Sequence, residues 1–209
     1  MTHRILLFGI FTLIFSACQS PDQQVQAQSG KDIYKIKDYI RDLTYDKYEV
    51  ATLAGGCFWC VEASFERING VMDVISGYSG GQKAYPTYSE VSNKQTNHAE
   101  AIQVFFDPNI ISYEEILDIF FVAHDPTTLN RQGPDVGPQY RSEIFYHNDT
   151  QKEAAIAKIK ELNASGTFED PIVTALSPYK EFWVAEAYHQ DYYEYNPRSP
   201  YVQRVSKPK

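Results

Sequence analysis

Two cysteines separated by two residues are the part of this sequence best suited to chemistry. Cys57 and Cys60 stand in the segment GGCFWC, residues 55–60. The pattern of Tyr48 to Ala54 predicts a strand, and the two glycines after it permit a tight turn before a helix that begins near Cys57. Free amides and the helix dipole favour a thiolate at such a position. We therefore expect the pKa of Cys57 to lie below the value of about 8.5 for a free thiol.

A CxxC pair by itself leaves several kinds of site open. A zinc site needs four ligands, and the sequence has no second CxxC pair and no histidine pair at zinc-finger spacing. A structural disulfide between Cys57 and Cys60 would close a short loop and restrict the unfolded chain little. A thioredoxin-like dithiol enzyme also places CxxC at a helix start, but its tryptophan usually precedes the first cysteine, whereas Trp59 lies between the two cysteines here.

The residues around the pair and beyond it resemble the peptide methionine sulfoxide reductases of the A type. The resemblance starts with GGCFWCVEASF and covers residues 47 to 198 in the same order. The other matching pieces are Gly77-Tyr78, Gly80-Gly81, Pro86-Thr87-Tyr88, Asn97 to Ala101, Tyr113-Glu114, His124-Asp125-Pro126 and Arg131 to Ser142. The chain departs from some members after Asn196-Pro197, because it lacks their glycine-rich extension with recycling cysteines. The resemblance implies an enzyme that reduces the S epimer of methionine sulfoxide, free or in proteins.

The resemblance also implies which residues carry the reaction. Cys57 is the expected nucleophile, which attacks the sulfoxide sulfur and becomes a sulfenic acid. Glu100 is the expected acid, which protonates the leaving oxygen. Cys60 is expected to resolve the sulfenic acid as a disulfide, which a thioredoxin-like dithiol then reduces. No bound cofactor or metal is implied, and the sequence has no GxGxxG or Walker pattern.

Five further residues are expected to bind the substrate. Phe58 and Trp59 would form an apolar seat for the methyl group, since a methyl group offers no hydrogen bonds. Tyr88 and Tyr140 match family tyrosines that hydrogen-bond the sulfoxide oxygen, and Asp135 matches an aspartate near the site. Two other functions compete with this interpretation. One is a general dithiol–disulfide oxidoreductase, and the other is a lipoprotein that binds methionine-rich partners without catalysis.

Helices and strands are interspersed along the chain, which predicts an α+β fold. We expect one domain with a mixed β-sheet and helices packed on it, and the resemblance implies a ferredoxin-like arrangement. Strands are predicted at 48–54, 71–78, 99–106, 140–146 and 173–176, and helices at 60–68, 112–123, 149–163 and 186–195. The long loop from Pro126 to Pro138 is of a length usually associated with function.

The first residues predict export and a lipid anchor. Arg4 precedes an apolar run, Ile5 to Phe15, that is too short to span a bilayer comfortably. Small residues then lead to Cys18, in a pattern similar to the bacterial lipobox, where the cysteine is lipidated. The alternative is an ordinary secretory signal cut after Ala17. We therefore expect a protein of the bacterial cell envelope, anchored to a membrane by lipid and facing the periplasm or the exterior.

These patterns divide the chain into three parts. Residues 1–17 are expected to be the signal peptide. Residues 18–46 are expected to hold the lipidated cysteine, a glutamine-rich tether and an arm with a possible short helix over Lys31 to Thr44. Residues 47–209 form the predicted catalytic domain. The net charge of −8 argues against nucleic acid as a partner. We expect a monomer that meets oxidised proteins, free methionine sulfoxide and a thioredoxin-like reductant, and that touches the membrane through its anchor only.

Overall fold

Six strands form the main sheet of the computed structural model, which describes residues 47–206. The strands are β1 (Glu49–Gly55), β2 (Val71–Ser79), β3 (Ala99–Phe106), β4 (Arg131–Gln132), β5 (Asp135–Val136), β6 (Ser142–Tyr146), β7 (Ala175–Pro178) and β8 (Phe182–Val184). The main sheet has the order β7-β6-β1-β3-β2-β8, and β4 pairs with β5 as a separate hairpin. Only the β6–β7 pair is parallel among the described pairings. The sheet is therefore mixed, as predicted.

Five α-helices and several short turns connect the strands within residues 47–206. The helices are α1 (Phe58–Phe65), α2 (Tyr88–Ser92), α3 (Tyr113–Ala123), α4 (Asp149–Ser165) and α5 (Tyr192–Tyr195). Two 3-10 turns lie at Pro138–Tyr140 and Ala187–His189, and a π-type turn lies at Val202–Ser206. In this described part of the chain, every helix is too short or too polar to cross a membrane.

Local signals set the limits of the two longest helices. Ser112 and Glu115 form a capping box at the start of α3, where the sequence predicts that a helix begins: Ser112 Oγ accepts from Glu115 N, and Glu115 Oε2 accepts from Ser112 N at 2.8 Å. The cap of α4 is Asn148, one residue before the predicted helix start at Asp149, and its side chain accepts from Gln151 N at 2.9 Å. Helix α4 ends at Gly166, whose φ of 72° suits glycine.

The core lies between the sheet and helices α1 and α3. Phe65 of α1, Ile102 and Phe106 of β3, and Leu117 and Phe120 of α3 are all fully buried. Each side chain of this size contributes roughly 1.5–3 kcal/mol when it leaves water. Helix α1 packs against β2, β3 and α3. The start of α1, with Cys57 at its N-cap and Cys60 in its first turn, is therefore held against the core.

The predicted helix over residues 186–195 is wrong. The chain forms a 3-10 turn and the short helix α5 instead, because Asp191 adopts a φ of 51° and breaks a continuous helix. The side chain of Gln190 fixes this break: its Oε1 accepts from Ser76 N at 2.9 Å, and its Nε2 donates to Ser76 O at 3.0 Å. Contacts with β2 therefore determine the path of this segment.

Further differences concern shorter pieces of the chain. The strand predicted at 173–176 begins at Ala175, and the strand predicted at 140–146 begins at Ser142. Strands β4 and β5 lie within the predicted loop 126–138, and strand β8 and helix α2 were not predicted. Strand β8 has three residues, fewer than a period-two pattern needs to be recognised. The predictions on residues 1–46, including the signal peptide, Cys18 and the arm, lie outside the described residues.

Candidate active site

Cys57 lies between the end of β1 and the start of α1, as the sequence predicts. It is the N-cap residue of α1, with φ −62° and ψ 122°, and its carbonyl accepts from Cys60 N at 3.1 Å. The preceding Gly56 has a φ of 97°, and a Cβ atom there would lie 2.5 Å from Gln132 Cγ. A side chain at position 56 would therefore be both strained and obstructed. The tight turn places Cys57 against the sheet, where it is only 6% exposed.

The pKa of the Cys57 thiol is raised well above its ordinary value, so the predicted lowering is wrong. Burial is the largest cause, followed by a hydrogen bond with Cys60 and the negative charge of Glu100. A hydrogen bond with Tyr201 acts in the opposite direction. The first free amide of the helix does not serve the sulfur, because Phe58 N donates to Glu100 Oε2 at 3.2 Å. The thiol therefore needs a proton acceptor before it can act as a nucleophile.

Glu100 is a buried carboxyl group that holds its proton near neutral pH. It lies in β3 opposite Tyr78 of β2 and is 2% exposed. The pKa of Glu100 is raised to about 8, with burial as the largest cause. The hydrogen bond from the Phe58 amide lowers this pKa, and the charges of Asp135 and Cys60 raise it. A carboxyl group in this state can donate a proton to a ligand oxygen at pH 7.

Tyr88 and Tyr140 lie close enough to Glu100 and Cys57 for the charges of these groups to act on both phenols. Burial raises the pKa of each phenol, and the charge of Glu100 is the next cause for both. Tyr88 begins α2, and its amide donates to Glu186 Oε1 at 2.9 Å. Tyr140 ends the 3-10 turn that follows β5. Both hydroxyl groups keep their protons at neutral pH, so they can donate hydrogen bonds beside Glu100.

Aromatic side chains form one wall of the site. Phe58 is 1% exposed and stacks on Tyr88 with 6.4 Å between the ring centroids. The Trp59 ring lies 6.1 Å from Phe58 and is only partly buried. Trp59 Nε1 donates to His189 Nδ1 at 3.1 Å, and its ring stacks on Tyr192 at 3.8 Å. These contacts fix the indole plane at the border of the site.

Cys60 lies one turn after Cys57, and both cysteines carry free thiols in this structure. Cys60 is 5% exposed, and its thiol is hydrogen-bonded with that of Cys57. Asp135 is a further carboxyl group near the cysteines. Its Oδ2 accepts from Tyr201 Oη at 2.5 Å, and the same hydroxyl is hydrogen-bonded with Cys57. Within residues 47–206, no group of three or more His, Cys, Asp or Glu side chains has the geometry of a metal site.

Comparison with known proteins shows what this arrangement is. Residues 49–209 match the family model described as peptide methionine sulfoxide reductase. Peptide methionine sulfoxide reductase MsrA 1 of Rhodopirellula baltica is 57% identical over 157 residues, which cover 75% of this chain and 81% of the relative. This chain belongs to the peptide methionine sulfoxide reductase family. Members of the A type reduce the S epimer of methionine sulfoxide, and that is the activity of this chain.

Two solved structures share the fold of this chain. The reduced form of Mxr1 from Saccharomyces cerevisiae superimposes with a TM-score of 0.68 at 38% identity, over 73% of this chain and 88% of that chain. Methionine sulfoxide reductase A of Corynebacterium diphtheriae gives 0.64 at 33% identity, over 72% of this chain and 76% of that chain. The α+β architecture predicted from the sequence is thereby confirmed.

The structure brings together the expected residues of this reductase family within one site. They are Cys57, Phe58, Trp59, Cys60, Tyr88, Glu100, Asp135 and Tyr140. Phe58 contributes a fully buried ring, whereas Trp59 lies at the border. Cys18 lies outside the described residues.

Sequence reasoning missed three residues that support or enter the site. Glu186 accepts from the Tyr88 amide and from Tyr78 Oη at 2.8 Å. His189 accepts from Trp59, and Tyr201 contacts both Asp135 and Cys57. All three follow β8, in a region predicted as a plain helix and tail. The aromatic and polar cluster AYHQDYYEY, residues 187–195, is a signal for His189, but Glu186 and Tyr201 lie outside it.

Proposed function

We propose that Cys57 and Glu100 carry the reduction as nucleophile and acid. The observation that carries this proposal is the buried Glu100 carboxyl beside the reactive cysteine, with a pKa of about 8. A protonated acid neutralises the charge that would otherwise develop on the leaving oxygen. Attack by Cys57 then yields methionine and a sulfenic acid at Cys57.

The aromatic wall and two tyrosines orient the sulfoxide. The methyl group rests against Phe58 and Trp59, because these rings supply an apolar surface that needs no hydrogen bonds. Tyr88 and Tyr140 donate to the sulfoxide oxygen from the side of Glu100. With the methyl group and the oxygen both held, a single epimer presents its sulfur to Cys57, which matches the S preference of the A type.

Recycling uses Cys60 and an external dithiol. The Cys60 thiol attacks the sulfenic acid, water leaves, and a Cys57–Cys60 disulfide remains. The hydrogen bond between the two thiols supports this step, because it places the sulfur atoms next to each other before oxidation. A thioredoxin-like protein reduces the disulfide, and oxidised proteins and free methionine sulfoxide are the substrates.

An epimer-resolved assay tests this mechanism. The protein is incubated with dithiothreitol and a peptide that contains both epimers of methionine sulfoxide, and the remaining epimers are separated. We expect loss of the S epimer only, and no loss with Cys57→Ser. The control is Glu153→Gln, at an exposed position of α4. Equal consumption of both epimers, or activity in Cys57→Ser, would contradict the proposal.

We also propose that the protein is lipid-anchored at Cys18 in the bacterial envelope and works there as a monomer. The support is the basic start, the short apolar run and the Ser16-Ala17-Cys18 sequence, followed by a polar tether. Twelve tether residues span roughly 20 Å as a random coil, which is enough to hold the site away from lipid headgroups. A lipid anchor with several acyl chains gives stable attachment.

Detergent phase partitioning tests the anchor. Wild-type protein should enter the detergent phase, and Cys18→Ser should enter the aqueous phase with full reductase activity. Wild-type protein found only in the aqueous phase would reject lipidation and leave an ordinary secretory signal. Sedimentation of the Cys18→Ser protein tests the monomer, and a dimer at micromolar concentration would contradict it.

A further inference from the structure

The proposed attack needs an acceptor for the thiol proton of Cys57. Burial raises the pKa of this thiol, so the sulfur holds its proton in the resting enzyme. Glu100 is unsuited to take that proton, because it is itself protonated near pH 7 and must deliver its proton to the sulfoxide oxygen. The acceptor must therefore be another group in contact with the sulfur.

Tyr201 lies between Cys57 and a second carboxyl group. Its hydroxyl is hydrogen-bonded with the Cys57 thiol and donates to Asp135 Oδ2 at 2.5 Å. The Tyr201 ring packs edge-on against Trp59, with 5.6 Å between the centroids. The next residue, Val202, is 1% exposed and fixes the segment in the core. The contact with Trp59 and the burial of Val202 therefore hold the Tyr201 hydroxyl in place.

The Tyr201 hydroxyl is in direct contact with the sulfur, because it is hydrogen-bonded with the Cys57 thiol. For Tyr88 and Tyr140, burial and then the charge of Glu100 raise the pKa of the phenol. The contact of Tyr201 with the sulfur makes it the group that can exchange a proton with Cys57.

We propose that Tyr201 is a further catalytic residue, which passes the thiol proton of Cys57 to Asp135 as the sulfur attacks. This inference rests on the proposed role of Cys57 as nucleophile. In the resting state the Tyr201 hydroxyl donates to Asp135 and presents a lone pair toward the thiol. A single hydroxyl can then accept one proton and release the other, because a phenol is both donor and acceptor.

The step balances in atoms, charge and electrons. The S–O bond of the sulfoxide breaks and an S–O bond forms at Cys57, so the substrate sulfur gains two electrons and the cysteine sulfur loses two. Glu100 gives its proton to the oxygen. Cys57 gives its proton to Tyr201, which gives its own proton to the Asp135 carboxylate. The products are methionine, the sulfenic acid, ionised Glu100 and protonated Asp135, and exchange with solvent returns the proton from Asp135 to Glu100.

The test uses Tyr201→Phe, Asp135→Asn and the double variant in the full chain, with Tyr195→Phe as control. The control changes an exposed tyrosine of α5 that is 78% exposed. Single-turnover reduction of the S-sulfoxide peptide is measured by rapid quench at pH 7. We expect the single-turnover rate of each single variant to be about 10- to 100-fold lower than that of the wild type, the low end of the range for positioned proton transfer. The double variant should be within about threefold of the slower single variant, because both changes interrupt one path.

A second measurement separates the relay from packing and from the proposed function. Alkylation of Cys57 by iodoacetamide is followed in a Cys18→Ser, Cys60→Ser background, which leaves one thiol. Tyr201→Phe keeps the ring against Trp59, so a packing role predicts unchanged alkylation, whereas the relay predicts alkylation at least about fivefold slower.

Three results would overturn the relay: a Tyr201→Phe rate within twofold of the wild type, losses that multiply in the double variant, or unchanged alkylation. Failure of the proposed function looks different. The wild type itself would then leave the S epimer intact, while its alkylation would still respond to Tyr201→Phe.

Discussion

Replacement of Glu100 by glutamine should lower activity and raise stability at alkaline pH. The glutamine side chain has nearly the same shape, and its carbonyl oxygen can accept the hydrogen bond from Phe58 N that Glu100 Oε2 accepts at 3.2 Å. It cannot donate a carboxyl proton to the sulfoxide oxygen. The folded state should therefore persist while the proton-transfer step is lost.

The size of the activity loss follows from the role of the acid. With a pKa of about 8, roughly nine-tenths of the Glu100 carboxyl is protonated at pH 7 and about one-tenth at pH 9. The wild-type single-turnover rate should therefore fall about tenfold per pH unit above 8. Glu100→Gln should be about 10²- to 10⁴-fold slower at pH 7, the usual range for a positioned general acid. The variant should also lose this alkaline limb of the pH profile.

Glu100→Gln should increase stability at alkaline pH, although it decreases activity. The pKa of Glu100 is raised in the folded state, so the stability that the protonated carboxyl supports is fully present below about pH 4.5 and is lost as pH rises through about 8. Ionisation of the buried group then costs the fold about 3–5 kcal/mol. Glu100→Gln never ionises, and its free energy of unfolding should exceed that of the wild type at pH 9.

Two assays check this pair of effects. Rapid-quench single turnover with the S-sulfoxide peptide gives the rate between pH 6 and 9, and urea unfolding gives the stability at pH 6 and 9. Glu153→Gln, the same chemical change at an exposed position of α4, is the matched control. A variant rate within threefold of the wild type at pH 7, or a variant less stable than the wild type at pH 9, would refute the reasoning.

Three further predictions concern recycling, substrate binding and a second buried acid. Cys60→Ser should reduce about one equivalent of sulfoxide and then stop when a thioredoxin-like protein is the only reductant; steady turnover in a coupled assay would contradict the role of Cys60. His189→Leu removes the acceptor for Trp59 Nε1, so KM for the peptide should rise several-fold with little change in kcat. In steady-state kinetics His189→Gln should bring KM most of the way back to the wild-type value. Glu62 is 1% exposed, and its pKa is raised to about 9 by burial and then by the charge of a neighbouring glutamate. The wild type should therefore lose stability as pH rises from 4.5 to 9, and Glu62→Gln should not. Urea unfolding with the same pH slope in both proteins would contradict this.

The sequence predicted the part of the site that local signals determine. The strand, the glycine turn and the helix start around Cys57 are set by neighbouring residues, as is the capping box at Ser112. The roles of Glu100, Tyr88 and Tyr140 came from the family resemblance alone. Each lies tens of residues from Cys57, and their meeting depends on the pairing of β3 with β2 and on the turn after β5.

Other features depend on tertiary contacts that a single sequence does not reveal. The thiol pKa was predicted with the wrong sign because the helix N-terminus was considered without the depth of burial or the competing Glu100 carboxylate. The break at Asp191 follows from hydrogen bonds between Gln190 and β2. Tyr201 enters the site from the chain end, and nothing near it in sequence distinguishes it from the other 15 tyrosines.

Intact-mass analysis after one equivalent of sulfoxide tests the central claim most directly. The claim is that the oxygen passes to Cys57 and that Cys60 then closes a disulfide. The Cys18→Ser protein should become about 2 Da lighter, and the Cys18→Ser, Cys60→Ser protein about 16 Da heavier, with dimedone adding at Cys57. Cys57→Ser should keep its mass. Methionine formed without any mass change in the first protein, or a dimedone adduct elsewhere than Cys57, would contradict the account.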